Sequence, residues 1–220
     1  MARERLDEKR ARARALIDRL DAAMPEAEIE LDYETPLELV VAVALSAQTT
    51  DKRVNLVTPA LFRAFRSAAD YARATPAQVE PFIKTVGLFR NKAKALVKLG
   101  QVLLERHGGE VPRSRAALAE LPGVGNKTAG VVSMHLAGGE TAFPVDTHIL
   151  RLSRRLGLST SSDPDDVEAD LRRLLPEDRW FKGHQLLIWH GRRVCDARAP
   201  ECHRCVVTDL CPRRGVPRKK

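Results

Sequence analysis

The sequence predicts an all-α protein, and three observations carry that expectation. Helix-start signals recur along the chain, apolar residues repeat at the spacing of one helix face, and no stretch alternates with the period of two that marks a half-buried strand. The turns between these segments are short, so consecutive helices pack as neighbours. At 220 residues the chain is long enough for one domain or two small ones, each with a real core.

Residues 1–24 read as an amphipathic helix with Leu6, Ala13, Leu16, Ile17 and Leu20 on one face, ended by Pro25. Thr35, Pro36 and Glu38 supply an N-cap, a proline at the first helical position and the capping-box acid. The nearly continuous apolar run at 37–45 that follows predicts a helix buried on most sides. It opens into the polar loop Ser46-Ala47-Gln48-Thr49-Thr50-Asp51. There Gln48 is a candidate to enter a DNA groove or fill a gap in a base stack, while Thr50 or Asp51 equally suits a plain cap of the next helix. Residues 55–65 continue as a helix with Leu56, Leu61, Phe62 and Phe65 inward, and Thr75-Pro76-Ala77-Gln78 caps another running to about residue 86. In the segment VGLFRNKA at 86–93, Leu88 is a candidate wedge between bases with Arg90, Lys92 and Lys94 against phosphates; alternatively Leu88 and Phe89 are core residues at a helix junction. A long helix at 92–106 is stopped by Gly108-Gly109, and a short one at 114–120 leads into LPGVGNKTAG.

That stretch, 121–130, predicts a tight hairpin between two helices. Gly123 and Gly125 flank Val124, and glycine permits positive φ and close approach by another backbone. Amides at the start of the following helix lack intrahelical partners and suit a phosphate. Lys127 stands in that first turn, where the helix dipole disfavours a positive charge, as either a phosphate clamp or a nucleophile. The helix at 127–137 closes at Gly138-Gly139, and Asp146 then begins or caps a helix carrying His148, Arg151, Arg154 and Arg155. His148 is a candidate contact to DNA or a packed helix residue. A Ser/Asp-rich loop at 159–166 precedes helices at 167–175 and 180–194, the last delivering the chain to Cys195.

Cys195, Cys202, Cys205 and Cys211 are the only cysteines, spaced C-x6-C-x2-C-x5-C. Residues 1–15 mix arginine with acid and alanine and no apolar run reaches bilayer length, so neither a secretory leader nor a membrane span is expected. A cytosolic protein keeps its thiols reduced, which makes such a cluster a metal or iron-sulfur site in preference to disulfides. The unequal gaps suit a cubane cluster better than a four-thiolate zinc site, which often uses two close pairs. Arg192, Arg193, Arg198, Arg204, Arg213 and Arg214 surround the cysteines in sequence. The net charge of +8 points to a polyanionic partner, and the excess gathers at 191–220, with nine Lys/Arg against three Asp/Glu. Only 5% of residues are aromatic, against a surface that reads single strands mainly by stacking.

Together these residues resemble the endonuclease III family of the helix-hairpin-helix superfamily of DNA glycosylases. The resemblance runs end to end: SAQTTD at 46–51, VGLFRNKA at 86–93, LPGVGNKTA at 121–129, VDTHILRL at 145–152 and the four cysteines. It implies a two-lobed all-α fold, a six-helix barrel over 29–139 with the hairpin at about 114–137, and an iron-sulfur lobe of 1–28 and 140–220 with its cluster loop at 195–211. The active site is then expected in the cleft between lobes, with Lys127 as nucleophile and Asp146 as the essential carboxylate. The same resemblance implies that Gln48 and Leu88 fill the gap left by a flipped nucleotide. Gly123, Val124, Gly125, Lys127 and His148 are then further DNA contacts, and the cysteines carry a [4Fe-4S] cluster. The expected activity is removal of oxidised pyrimidines from double-stranded DNA with cleavage at abasic sites, by a cytoplasmic monomer. Two alternatives stand beside it: a monofunctional mismatch glycosylase, and a non-catalytic helix-hairpin-helix DNA-binding module in which Lys127 only clamps phosphate.

Overall fold

A computed structural model of the chain describes residues 4–216. Residues 1–3, where the first helix was expected to begin, and the basic residues 218–220 lie outside the described residues. Among the described residues there are eleven α-helices, one 3-10 turn and no strand. The chain divides into two compact units, one formed by Glu30–Glu140 and the other by the described parts of Met1–Ile29 and Thr141–Lys220.

The first unit holds α2 (Pro36–Ser46), α3 (Asp51–Ala64), α4 (Ala68–Arg73), α5 (Pro76–Ile83), α6 (Phe89–His107), α7 (Arg115–Ala119) and α8 (Asn126–His135). α2 starts as its sequence dictates: Thr35 Oγ1 accepts from the Glu38 amide at 3.2 Å while Glu38 Oε2 accepts from the Thr35 amide at 3.3 Å. It buries Leu39, Val40, Val41, Ala42, Val43 and Leu45 and packs against α3, α6 and α8. α3 begins at Asp51, four residues earlier than its apolar pattern suggested, because Thr50 caps it through the Arg53 amide. Its inward stripe is Val54, Val57, Thr58 and Leu61. Leu56 was expected inside and is 65% exposed, since it points roughly opposite to that stripe on a helical wheel. The helix α4 escaped the sequence reading although it carries a capping box of its own, with Ser67 and Asp70 bonded reciprocally.

The packing of α4 on α6 turns on Gly100. A Cβ placed there would stand 2.7 Å from the Ala68 carbonyl oxygen, the Ala72 nitrogen and Tyr71 Cβ. Two of these are backbone atoms, so the helices cannot yield cheaply. Gly100→Ala is therefore expected to destabilise the protein by about 3 kcal/mol, in spite of alanine's better helix propensity. Urea unfolding reads this, and an unchanged midpoint contradicts the close packing.

The second unit holds α1 (Leu6–Ala23), α9 (Thr147–Arg155), α10 (Pro164–Leu174), the 3-10 turn Glu177–Arg179 and α11 (Trp180–Arg193). α1 buries Ala13, Leu16, Ile17 and Leu20 against α10 and α11. Leu6, expected on this face, is 44% exposed, because it lies in a first turn that runs past the buried stripe. Phe143, Ile149, Leu152, Leu171, Leu187 and Val207 complete one apolar core, with Cys195, Cys205 and Cys211 packed at its edge.

Candidate functional site

In the first unit, residues 120–125 join α7 to α8 as the predicted hairpin. Its two glycines do different work. Gly123 has φ +81°, and a Cβ there would lie 3.1 Å from Ala95 Cβ, so both conformation and space call for glycine. Gly125, the other glycine of the turn, is extended at φ −84° and ψ 172°. A Cβ on it would meet nothing within 4 Å, which leaves that side of the turn bare for an approaching group. Val124 is buried, and its amide donates to the Leu121 carbonyl at 3.0 Å, so it holds the turn's shape from beneath. As N-cap, Gly125 offers no side chain, and the first-turn amides of α8 are left without a side-chain cap. Lys127 is exposed in that turn.

Gln48 and Leu88 occupy the left-handed region, at φ +57° and +56°, although neither is glycine. Such backbone strain costs on the order of 1 kcal/mol each and persists only where the surroundings enforce it. Both side chains are exposed, Leu88 by 59%, so Leu88 is not the core residue that a helix junction suggested. Their loops touch: a Cβ on Gly87 would stand 3.5 Å from the Gln48 carbonyl oxygen. Lys92, expected against phosphate, instead points inward. Its Nζ donates to the carbonyls of Leu45 at 2.8 Å and Ala47 at 2.5 Å and to Thr49 Oγ1 at 3.3 Å. Burial pushes the Lys92 ammonium below the usual lysine range.

Asp146 and His148 lie in the second unit. Asp146 is the N-cap of α9, its Oδ1 accepting from the Ile149 amide at 2.7 Å. That leaves Oδ2 with no hydrogen bond among the described residues, so the cap occupies only half of the carboxylate. His148 is half-buried beside α11, where a Cβ on Gly191 would come within 3.1 Å of it. Its Nδ1 lies 3.2 Å from an Arg151 nitrogen. Burial pushes its imidazole below the ordinary value, helped by Arg151 and Arg192 and opposed by Asp146.

The four cysteines, all free thiols, line one small, mostly apolar hollow together with His190, Val194 and Pro200. Burial and the nearness of the other thiols raise the Cys205 and Cys211 pKa values. Among the described residues, no three His, Cys, Asp or Glu side chains are gathered closely enough to hold one metal ion. Two arginines of α9, which the sequence did not single out for this task, fasten the cysteine loop. Arg155, 4% exposed, donates to the carbonyls of Cys195, Asp196 and Ala197, and Arg151 donates to those of Cys195 and Gly191. The arginines that surround the cysteines in sequence are partly engaged within the protein: Arg193 stacks on Trp189, and Arg204 pairs with Glu201 and bonds the Arg193 carbonyl. Arg198 remains exposed.

Gln48 thus sits beside Leu88, and the cysteines sit together; the hairpin with Lys127 belongs to one unit and Asp146 with His148 to the other. No helix among the described residues is long and apolar enough to cross a membrane.

Residues 41–177 match the family of HhH-GPD superfamily base excision DNA repair proteins. The chain is 45% identical to endonuclease III of Bacillus subtilis, over 93% of both chains. It is 40% identical to endonuclease III of Escherichia coli K12, covering 92% of this chain and 95% of that one. Among solved structures it is similar to a trapped endonuclease III–DNA covalent intermediate, at a TM-score of 0.87 and 40% identity over 93% of this chain and 96% of that chain. Similarity to a non-covalent endonuclease III–DNA complex has a TM-score of 0.88 at the same identity, over 93% of this chain and 95% of that one.

Proposed function

We propose, on the premise that this chain belongs to the HhH-GPD superfamily of base excision DNA repair proteins and within it to the endonuclease III family, that Lys127 and Asp146 perform its chemistry. The protein is a DNA N-glycosylase with abasic-site lyase activity, acting in the cytoplasm on double-stranded DNA. Oxidised pyrimidines are its substrates in this reading. One observation carries the assignment of the nucleophile: an exposed lysine in the uncapped first turn of α8, in a chain 40% identical to an endonuclease III caught covalently on DNA.

A base inside a duplex is out of reach and has to leave the stack, which costs least where a lesion pairs or stacks poorly. Gln48 and Leu88 then occupy the gap, and the bare side of the Gly123-Val124-Gly125 turn takes the backbone phosphate on amide donors. The Lys127 amine, unprotonated, attacks C1′ of the sugar; the C1′–N bond breaks and its electron pair leaves with the base. Asp146 accepts the proton the amine sheds and stabilises the positive charge on the sugar. Opening of the sugar ring yields an iminium between Lys127 Nζ and C1′. Loss of a C2′ proton then expels the 3′ phosphate by β-elimination, and water releases the lysine. His148, kept neutral by burial, is proposed as a DNA contact.

Cys195, Cys202, Cys205 and Cys211 are proposed to hold a [4Fe-4S] cluster, which supplies a cross-link for the loop 195–211. The donor set fits: four free thiols line one hollow, and burial holds the Cys205 and Cys211 thiols above the usual range until a cationic centre favours their thiolates. The purified protein is expected to be brown, with roughly four iron atoms per chain by elemental analysis; a colourless protein containing zinc overturns the assignment.

Borohydride trapping on a duplex with one oxidised pyrimidine tests the main reading. A covalent adduct that depends on Lys127 supports it. Base release without an adduct identifies a monofunctional glycosylase, and binding with neither identifies a DNA-binding module.

A further inference from the structure

The geometry points to Lys92 as a positioning residue: it is the staple that sets the Gln48 and Leu88 loops in register, so that both side chains enter the vacated base-pair gap together. This inference rests on the proposed gap-filling role of those two residues. Lys92 belongs to the first turn of α6, whose N-cap is Leu88, and the Lys92 amide donates back to the Leu88 carbonyl at 3.0 Å. Its ammonium reaches the other loop and bonds two carbonyls at the C-terminal end of α2, Leu45 and Ala47, on either side of the last helical residue. A helix C-terminus carries unsatisfied carbonyls and partial negative charge, so a lysine there is held by both hydrogen bonds and the dipole. The third donor bond, to Thr49 Oγ1, brackets Gln48 between two anchored neighbours.

This arrangement accounts for two features that local sequence does not. Gln48 and Leu88 are held in left-handed conformations that leave their side chains exposed, with no glycine to relax the backbone. A single side chain tethers both segments, and Gly87 faces the Gln48 carbonyl, which would stand 3.5 Å from a Cβ placed on it. Strain at two neighbouring exposed residues, held by one half-buried cation, is the mark of preorganisation for a ligand. A stack of bases from which one nucleotide has been removed is a ligand of matching chemistry, with an apolar face for Leu88 and base edges for Gln48.

The test compares three proteins, Lys92→Met, the pair Gln48→Ala with Leu88→Ala, and the triple variant, on two substrates. Excision of an oxidised pyrimidine from duplex DNA requires the gap to be filled; trapping on a single-stranded abasic oligonucleotide does not. Lys92→Met is expected to lose roughly 10- to 100-fold on the duplex, to trap the single-stranded substrate at the parent rate, and to add little in the triple variant. Equal losses on both substrates, or no loss on the duplex, overturn the staple. If the Gln48/Leu88 pair itself loses nothing on the duplex, the gap-filling reading fails and takes the staple with it. If the pair is impaired and Lys92→Met is not, the staple alone fails. Thr49→Val removes one of the three acceptors and gives the same comparison should Lys92→Met not fold.

Discussion

Lys127→Ala is expected to give no borohydride-trapped adduct and no strand cleavage, a loss of at least about 10³-fold in turnover. Removing a nucleophile has this size because the iminium requires a primary amine, which alanine does not supply. The effect cannot be charged to unfolding. Lys127 is exposed in the first turn of α8, and a positive charge there opposes the helix dipole, so alanine is expected to hold or raise stability by a few tenths of a kcal/mol. Lesion-DNA affinity should fall only as one lost phosphate contact allows. Lys127→Arg sharpens the result: arginine keeps the charge and so preserves a clamp, but its guanidinium, always protonated, does not form the imine. An arginine variant that still cleaves DNA ends the nucleophile assignment, whereas one that binds and does not cleave separates chemistry from grip.

What the sequence made legible follows the range of the physics involved. Helix starts depend on residues three or four apart, and the Thr35-Glu38 box and the Asp146 cap both stand where spacing put them. The cysteine hollow was foreshadowed by the same local arithmetic. Long-range packing decides the rest. Leu56 is apolar and faces away, because its angular position on α3 outranks its composition. Gly123 and Gly125 are alike in sequence, and only the folded turn separates their tasks: Gly123 takes the positive φ and Gly125 supplies bare space. Lys92 looked like one more phosphate contact among Arg90 and Lys94, since nothing nearby in sequence announces carbonyls 45 and 47 residues away. The left-handed backbone at Gln48 and Leu88 had no signature for the same reason: two unfavourable local conformations are fixed by a contact between distant segments.

Asp146→Asn is expected to retain lesion-DNA binding and to lose about 10²- to 10⁴-fold in turnover, the range for a positioned general base. The substitution is chosen because Asp146 already has one structural task. Its Oδ1 caps α9, and asparagine caps about as well as aspartate, so the loss in stability should stay below roughly 1 kcal/mol, the part owed to the charge at the helix start. Asp146→Ala would remove the cap as well and confound the two roles. The neighbouring imidazole does not blur the reading. His148 is pushed below its ordinary pKa by burial, and Asp146 is an influence that raises it. With asparagine at 146 that opposition disappears, and His148 moves further down. It therefore stays neutral through the neutral pH range in both proteins, and any change in the pH profile there belongs to the carboxylate or the lysine. If Asp146→Asn melts at the parent temperature and turns over at the parent rate, the carboxylate is a helix cap and nothing more; if it melts there and turnover collapses, Oδ2 does the chemistry that Oδ1, bound to the Ile149 amide, is in no position to do.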